Sequence, residues 1–165
     1  MILLGLGANL PNAESGLPLS TLIAALDVLE SEGVAVIRRS PWYRSAPVPA
    51  SRQPWFVNGV AALETSSGPE DLLARLHRIE DRFGRIRRIR NEPRSLDLDL
   101  LDYDGRIRSE GPAPILPHPR LHERAFVLLP LSDIAPDWRH PVFGTSVTDL
   151  IAGLPEAQAV ERLSP

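Results

Sequence analysis

The chain has 165 residues, 43% apolar and 24% charged, as expected for one soluble domain with a sizeable core. It holds no cysteine, which excludes disulfides, thiolate metal sites and cysteine nucleophiles. All 18 basic residues are arginine, so a P-loop lysine, a Schiff-base lysine and a lysine general base are excluded as well.

The net charge of -3 is unevenly spread. Between Arg75 and Arg94, eight arginines face only Glu80, Asp81 and Glu92, a local +5 against -8 elsewhere. A basic island on an acidic chain suits a small polyanion gripped by planar guanidinium forks; nucleic acid would ask for a wider basic surface. No apolar run approaches the roughly 18 residues of a membrane span. Residues 1–7 lack a basic leader, so neither signal peptide nor anchor is expected. The expectation is a cytoplasmic monomer without nucleic-acid or membrane partners.

Residues 1–6 read as a buried first strand and 7–11 as a turn. Gly5 and Gly7 are spaced as in a dinucleotide fingerprint, but no third glycine follows in register. Ser20 should cap a helix over 21–31, with Leu22, Ile23, Leu26 and Leu29 inward and Gly33 stopping it. A second strand follows at 34–39. The stretch 40–54, with prolines at 41, 47, 49 and 54, reads as a long surface loop of the kind used for binding. A third strand covers 55–65, placing Phe56, Asn58 and Val60 on one face. Asn58 is either an edge or turn residue, or a hydrogen-bonding group beside an aromatic plate.

Pro69, Glu70 and Asp71 open a second helix, which runs to Phe83 and stops at Gly84. Five arginines then fall between 85 and 94. Residues 96–103 form the central strand, and Asp104-Gly105 should turn it into a hairpin returning over 106–108. A proline-rich connector at 113–119 carries His118. A short helix is expected over 120–129, ended by Pro130, and another up to Ala152, capped by Thr145 or Ser146; the tail after Pro155 should fray. The order strand, helix, strand, strand, helix, strand is the split βαβ, ferredoxin-like pattern of an α+β fold: an antiparallel sheet with helices on one face. A C-terminal extension with a hairpin and two helices follows.

The chemistry concentrates in Arg94-Ser95-Leu96-Asp97-Leu98-Asp99-Leu100. Alternation at period two puts the leucines on one face of a strand and both aspartates on the other. The pair alone is either a solvated acidic face or a holder for divalent cations with oxygen preferences, magnesium above all. Like charges side by side repel, so a positive group should lie between them, and removing one carboxylate should raise the stability of the metal-free protein. With an arginine-rich loop before it and His118 after it, the pair makes a polyphosphate site without a P-loop. His118 and His122 lie four apart, but Pro119 interrupts the helix and no third ligand is evident, so His118 reads as a phosphate hydrogen-bond donor and not as a zinc ligand.

Several motifs carry a resemblance. Gly7-Ala8-Asn9-Leu10 resembles the G-S-N-L of 6-hydroxymethyl-7,8-dihydropterin pyrophosphokinases. Phe56-Val57-Asn58 resembles their aromatic-x-Asn, and Glu92 to Leu100 their G-P-R-T-L-D-L-D-I. Pro117-His118, then Arg124-Ala125-Phe126, is similar to their P-H…R-x-F. The resemblance implies transfer of pyrophosphate from ATP to the hydroxymethyl group of a reduced pterin, releasing AMP, in folate biosynthesis. By it, Asp97 and Asp99 bind two Mg²⁺ ions, and His77, Glu80, Arg85, Arg87, Arg94, His118 and Arg124 meet ATP. Of these, Arg85, Arg94 and Arg124 serve catalysis with the two aspartates. Phe56 and Phe126 sandwich the pterin, Asn58 bonds its edge, and Ser45, Ala46, Pro47 and Val48 complete the pocket. Asn91-Glu92 replaces the family's frequent Trp-Gly, Pro119 its aromatic and Ser95 its Thr. A nucleotide sensor, or a single-stranded RNA binder using sheet aromatics, are the competing readings.

Overall fold

The first strand, β1 (Ile2–Ala8), is buried along its length except at Gly5, because helices cover both faces of the sheet it runs through. The computed structural model describes residues 1–84 and 94–164. After β1 come α1 (Pro18–Ser31), β2 (Ala35–Arg39), β3 (Tyr43–Ser45), β4 (Phe56–Glu64), α2 (Pro69–Arg82) and β5 (Asp97–Tyr103). A single 3₁₀ turn (Leu121–Glu123), α3 (Ala125–Ile134), α4 (Val147–Ala152) and β6 (Val160–Arg162) complete the order. The sheet runs β5-β1-β4-β3-β6, with β2 also on β4, and every pairing is antiparallel. The antiparallel sheet with α1 and α2 on one face is the ferredoxin-like α+β arrangement expected from the order of elements, but α3 and α4 cover the other face, so the helices are not confined to one side.

Two cores result. Leu4, Leu6, Leu98 and Leu100 of the sheet meet Leu22, Leu26 and Leu29 of α1 and Leu72, Leu76 and Ile79 of α2. On the other face, Leu3, Val60 and Leu101 meet Val127, Leu128 and Leu131 of α3 and Val147 of α4. Each fully buried leucine contributes about 1.5–3 kcal/mol over leaving it in water. Among the described residues no helix is long and apolar enough to cross a membrane.

The structure corrects several expectations. β1 continues through Gly7 and Ala8, expected in a turn, because they pair with Asn58 and Val57. α1 starts at Pro18, whose missing N–H costs nothing at a first position; Ser20 lies inside it, and Ile23 points outward at 45% exposure. The 40–54 loop contains β3, which pairs with the start of β4. β5 is not central: it lies at one end of the sheet order, paired with β1. Asp104 and Gly105 do form a positive-φ turn, but 106–108 does not return along β5; Arg108 instead makes an isolated bridge with Leu116. The helix expected over 120–129 begins at Ala125, and Pro130 lies inside it. An interior proline costs about 3 kcal/mol, which burial of Val127, Leu128, Leu131 and Ile134 outweighs. The tail does not fray: β6 pairs with β3, and the Leu163 N–H donates to the Trp42 carbonyl at 2.9 Å.

Candidate active site

Asp97 and Asp99 project from β5 opposite its core leucines, and their register partners on β1 are Gly7 and Gly5. Gly7 in turn faces Asn58 of β4. The result is an open depression lined by Gly5, Gly7, Asn58, Gly59, both aspartates and Phe126, among others. Its floor is flat because it lacks side chains. A Cβ on Gly7 would lie 3.2 Å from Asn58 Oδ1, and one on Gly5 3.3 Å from a Leu101 methyl.

Positive charge meets the carboxylates where like-charge repulsion requires it. Arg94 Nη1 is 2.8 Å from Asp97 Oδ2, and Arg124 Nη1 is 3.6 Å from Asp99 Oδ2. The expected stabilisation on removing a carboxylate therefore does not follow, since each already has an arginine partner without metal. His118 Nε2 faces Asp99 Oδ2 at 3.8 Å. Burial first, then the Arg124 and Arg120 charges, push the His118 imidazole down to about 4, so it is neutral at pH 7. Its Nδ1 accepts the Arg120 N–H at 3.2 Å, which assigns the ring proton to Nε2. His118 thus presents a neutral donor toward the carboxylates.

On the other side of the depression, the Asn58 amide is fixed. Its Nδ2 donates to Ser45 Oγ at 2.8 Å, and its Oδ1 lies against Gly7. Phe126 lies under the Arg124 guanidinium at 5.4 Å. Phe56, Ala46, Pro47 and Val48 are outside the lining, and Val48 is 52% exposed. Glu80, expected among the nucleotide contacts, is fully buried, and its Oε1 accepts the Leu98 N–H at 2.8 Å. Its place is at the outer edge of β5, on the amide between the two aspartates. His77 lies half-buried one turn earlier on α2. Arg85, Arg87 and Asn91-Glu92 fall outside the described residues.

One residue of the site region was read as part of a turn and of the Gly7-Ala8-Asn9-Leu10 motif, with no role of its own. Asn9 is 2% exposed, and its Oδ1 accepts the Arg94 N–H at 2.8 Å. Its Nδ2 donates to the Pro54 carbonyl at 3.1 Å, tying the start of β5 to the approach to β4. The signal in the sequence was a polar residue placed directly after an apolar strand.

The residues fit a hard cation. Among the described residues no group of three or more histidines, aspartates and glutamates could hold a metal. Two carboxylates suffice for Mg²⁺, which keeps waters and takes phosphate oxygens for the rest of its shell.

Fold and site together define a ferredoxin-like domain whose carboxylate pair shares one depression with an asparagine and an aromatic ring, with two arginines and a neutral histidine set against the carboxylates. The chain belongs to the 7,8-dihydro-6-hydroxymethylpterin-pyrophosphokinase family, whose sequence model matches residues 3–136. It is 42% identical to the 2-amino-4-hydroxy-6-hydroxymethyldihydropteridine pyrophosphokinase of Pseudomonas aeruginosa over 163 residues, 98% of this chain and 96% of that one. Identity to the Synechocystis protein of the same name is 40%, over 89% of this chain and 72% of that one. The folic acid synthesis protein fol1 of Pneumocystis carinii is 39% identical over 88% of this chain, which spans only 19% of that longer protein. The wild-type HPPK-DHPS crystal structure of Plasmodium falciparum superposes with a TM-score of 0.69 at 14% identity, over 92% of this chain and 44% of that one.

Proposed function

We propose that this protein transfers pyrophosphate from ATP to the hydroxymethyl group of 6-hydroxymethyl-7,8-dihydropterin, releasing AMP, as a step of folate synthesis. The observation that carries the reading is that Asp97 and Asp99 share a single depression with Asn58 and Phe126. A polyphosphate and a flat heterocycle would meet there. Asp97 and Asp99 would hold two Mg²⁺ ions, which when bound neutralise triphosphate charge. Arg94 and Arg124, now paired with those carboxylates, would turn to phosphate oxygens, and the His118 Nε2–H would donate to another. The Asn58 Oδ1 would accept an N–H from the pterin edge while Phe126 stacks on its ring. No protein nucleophile is needed, because positioning and electrostatics carry phosphoryl transfer.

The test is AMP release from ATP by purified protein with Mg²⁺, with and without the reduced pterin. Pterin-dependent AMP is expected, and its absence refutes the reading. ATP binding without pterin binding would mark a nucleotide sensor instead. The same reading takes the enzyme as cytoplasmic and monomeric, which fractionation and light scattering check.

A further inference from the structure

The C-terminal segment lies beyond residue 136, where the family match ends, yet it touches two walls of the site. Along β3 it adds a strand: Val160 pairs with Ser45, whose hydroxyl fixes the Asn58 amide, and the Ala46 N–H donates to the Ala159 carbonyl at 3.0 Å. At the start of α3 it supplies a side chain. Gln158 Oε1 accepts the Ala125 N–H at 2.9 Å, and its Nε2 donates to the Glu123 carbonyl at 2.8 Å. Those two backbone groups flank Arg124. Arg124 is the N-cap residue of α3 and makes no side-chain capping bond, so an orphan donor of the first turn is satisfied from 33 residues away.

We propose that Gln158 is a positioning residue of the transfer site, and that the segment carrying it ties the asparagine wall to the arginine and phenylalanine wall. The inference rests on the reading of Arg124 and Phe126 given above. With the backbone clamped on both sides, the Arg124 side chain leaves at a fixed angle toward Asp99, and Phe126 follows two residues on. Without the clamp the first turn of α3 loses its acceptor, and both side chains are free to drift. An ångström of misplacement in a transfer site costs up to about a hundredfold in rate.

The experiment compares wild type, Gln158→Ala and Gln158→Glu in steady-state assays of AMP formation, with amide hydrogen exchange at Ala125. Gln158→Glu keeps the acceptor for Ala125 but loses the donor to Glu123. We expect Gln158→Ala to lower kcat by about tenfold and raise the pterin KM, with the ATP KM within about twofold and exchange at Ala125 faster. Gln158→Glu should fall between it and wild type in kcat and keep slow exchange at Ala125. Wild-type kinetics in Gln158→Ala, or a uniform loss that tracks only the folded fraction, overturns the positioning role. A wild-type control that makes no product sinks the reading of the site, and this role with it. An active control with an unaffected variant sinks the role alone.

Discussion

Glu80 gives the sharpest test of how this site is held. Its carboxylate is fully buried and accepts the N–H of Leu98, the residue between the two aspartates. Leu98 is itself 2% exposed, so that amide has no access to water. Glu80→Ala removes the acceptor and leaves a buried donor unpaired, which costs about 1–3 kcal/mol. The space left by the side chain adds to this, for a total of about 2–4 kcal/mol. At this chain length each kcal/mol is about 2–4 °C in Tm, so a drop of about 5–15 °C is expected by circular dichroism. Glu80→Gln keeps an oxygen in place and should recover more than half of it. The aspartates flank the loosened amide, so affinity for Mg²⁺-ATP should weaken in Glu80→Ala at temperatures where it is still folded. A variant melting within about 1 °C of wild type would refute the argument, because it would mean the bond contributes nothing net.

Three further predictions follow from the same geometry. Asp97→Asn and Asp99→Asn should each abolish AMP formation while leaving the circular dichroism spectrum unchanged. Without metal, Asp97→Asn should melt about 2–4 °C lower, since about 1 kcal/mol of pairing with Arg94 goes; a rise in Tm would restore the repulsion argument. The His118 value in the folded protein, about 4, lies below its ordinary 6.5. The unfolded chain therefore takes up a proton first as pH falls, and stability present above pH 6.5 is lost between 6.5 and 4, by at most about 3 kcal/mol. Urea unfolding of chelator-treated protein at pH 7.5 and 4.5 should show this loss in wild type and a smaller one in His118→Gln; equal losses would exclude His118 as its source. Gly59→Ala places a Cβ 2.7 Å and 2.8 Å from two Trp42 ring carbons, so the indole must move, at about 1–3 kcal/mol, read as a lower Tm with a shifted tryptophan emission.

Period and punctuation made the main elements legible. The 97–99 alternation gave the face of the carboxylates, and Pro69 with its following acids gave the start of α2 within a residue. What could not be read was decided by contacts distant in sequence. β3 is three residues long and β6 another three, each too short to carry a pattern, and they exist because they pair with each other and with β4. The end of β1 looked like a turn because glycine and alanine have weak strand propensity, but partners on both sides hold it extended. The position of β5 was lost because an apolar, aspartate-bearing strand reads alike at the middle or the end of a sheet. At the site, Asp97, Asp99, Asn58 and Phe126 were singled out in the sequence and come together, but the partners that hold them were not legible. Nothing local says that Glu80 faces the core, that Asn9 reaches Arg94, or that Gln158 reaches Ala125.

Among the described residues β5 has a strand on one side only, and a row of bare backbone groups normally invites another molecule to add itself there. Here the outer positions are taken by unlike partners: Glu80 accepts from Leu98, and the His118 N–H donates to the Leu101 carbonyl at 2.8 Å. A side chain and a loop amide block intermolecular pairing without flattening the ribbon or burying its aspartates, as a further strand would. The same two contacts that leave the acidic face open thus occupy edge positions where another strand would pair, and weakening either one should show as oligomers on a sizing column.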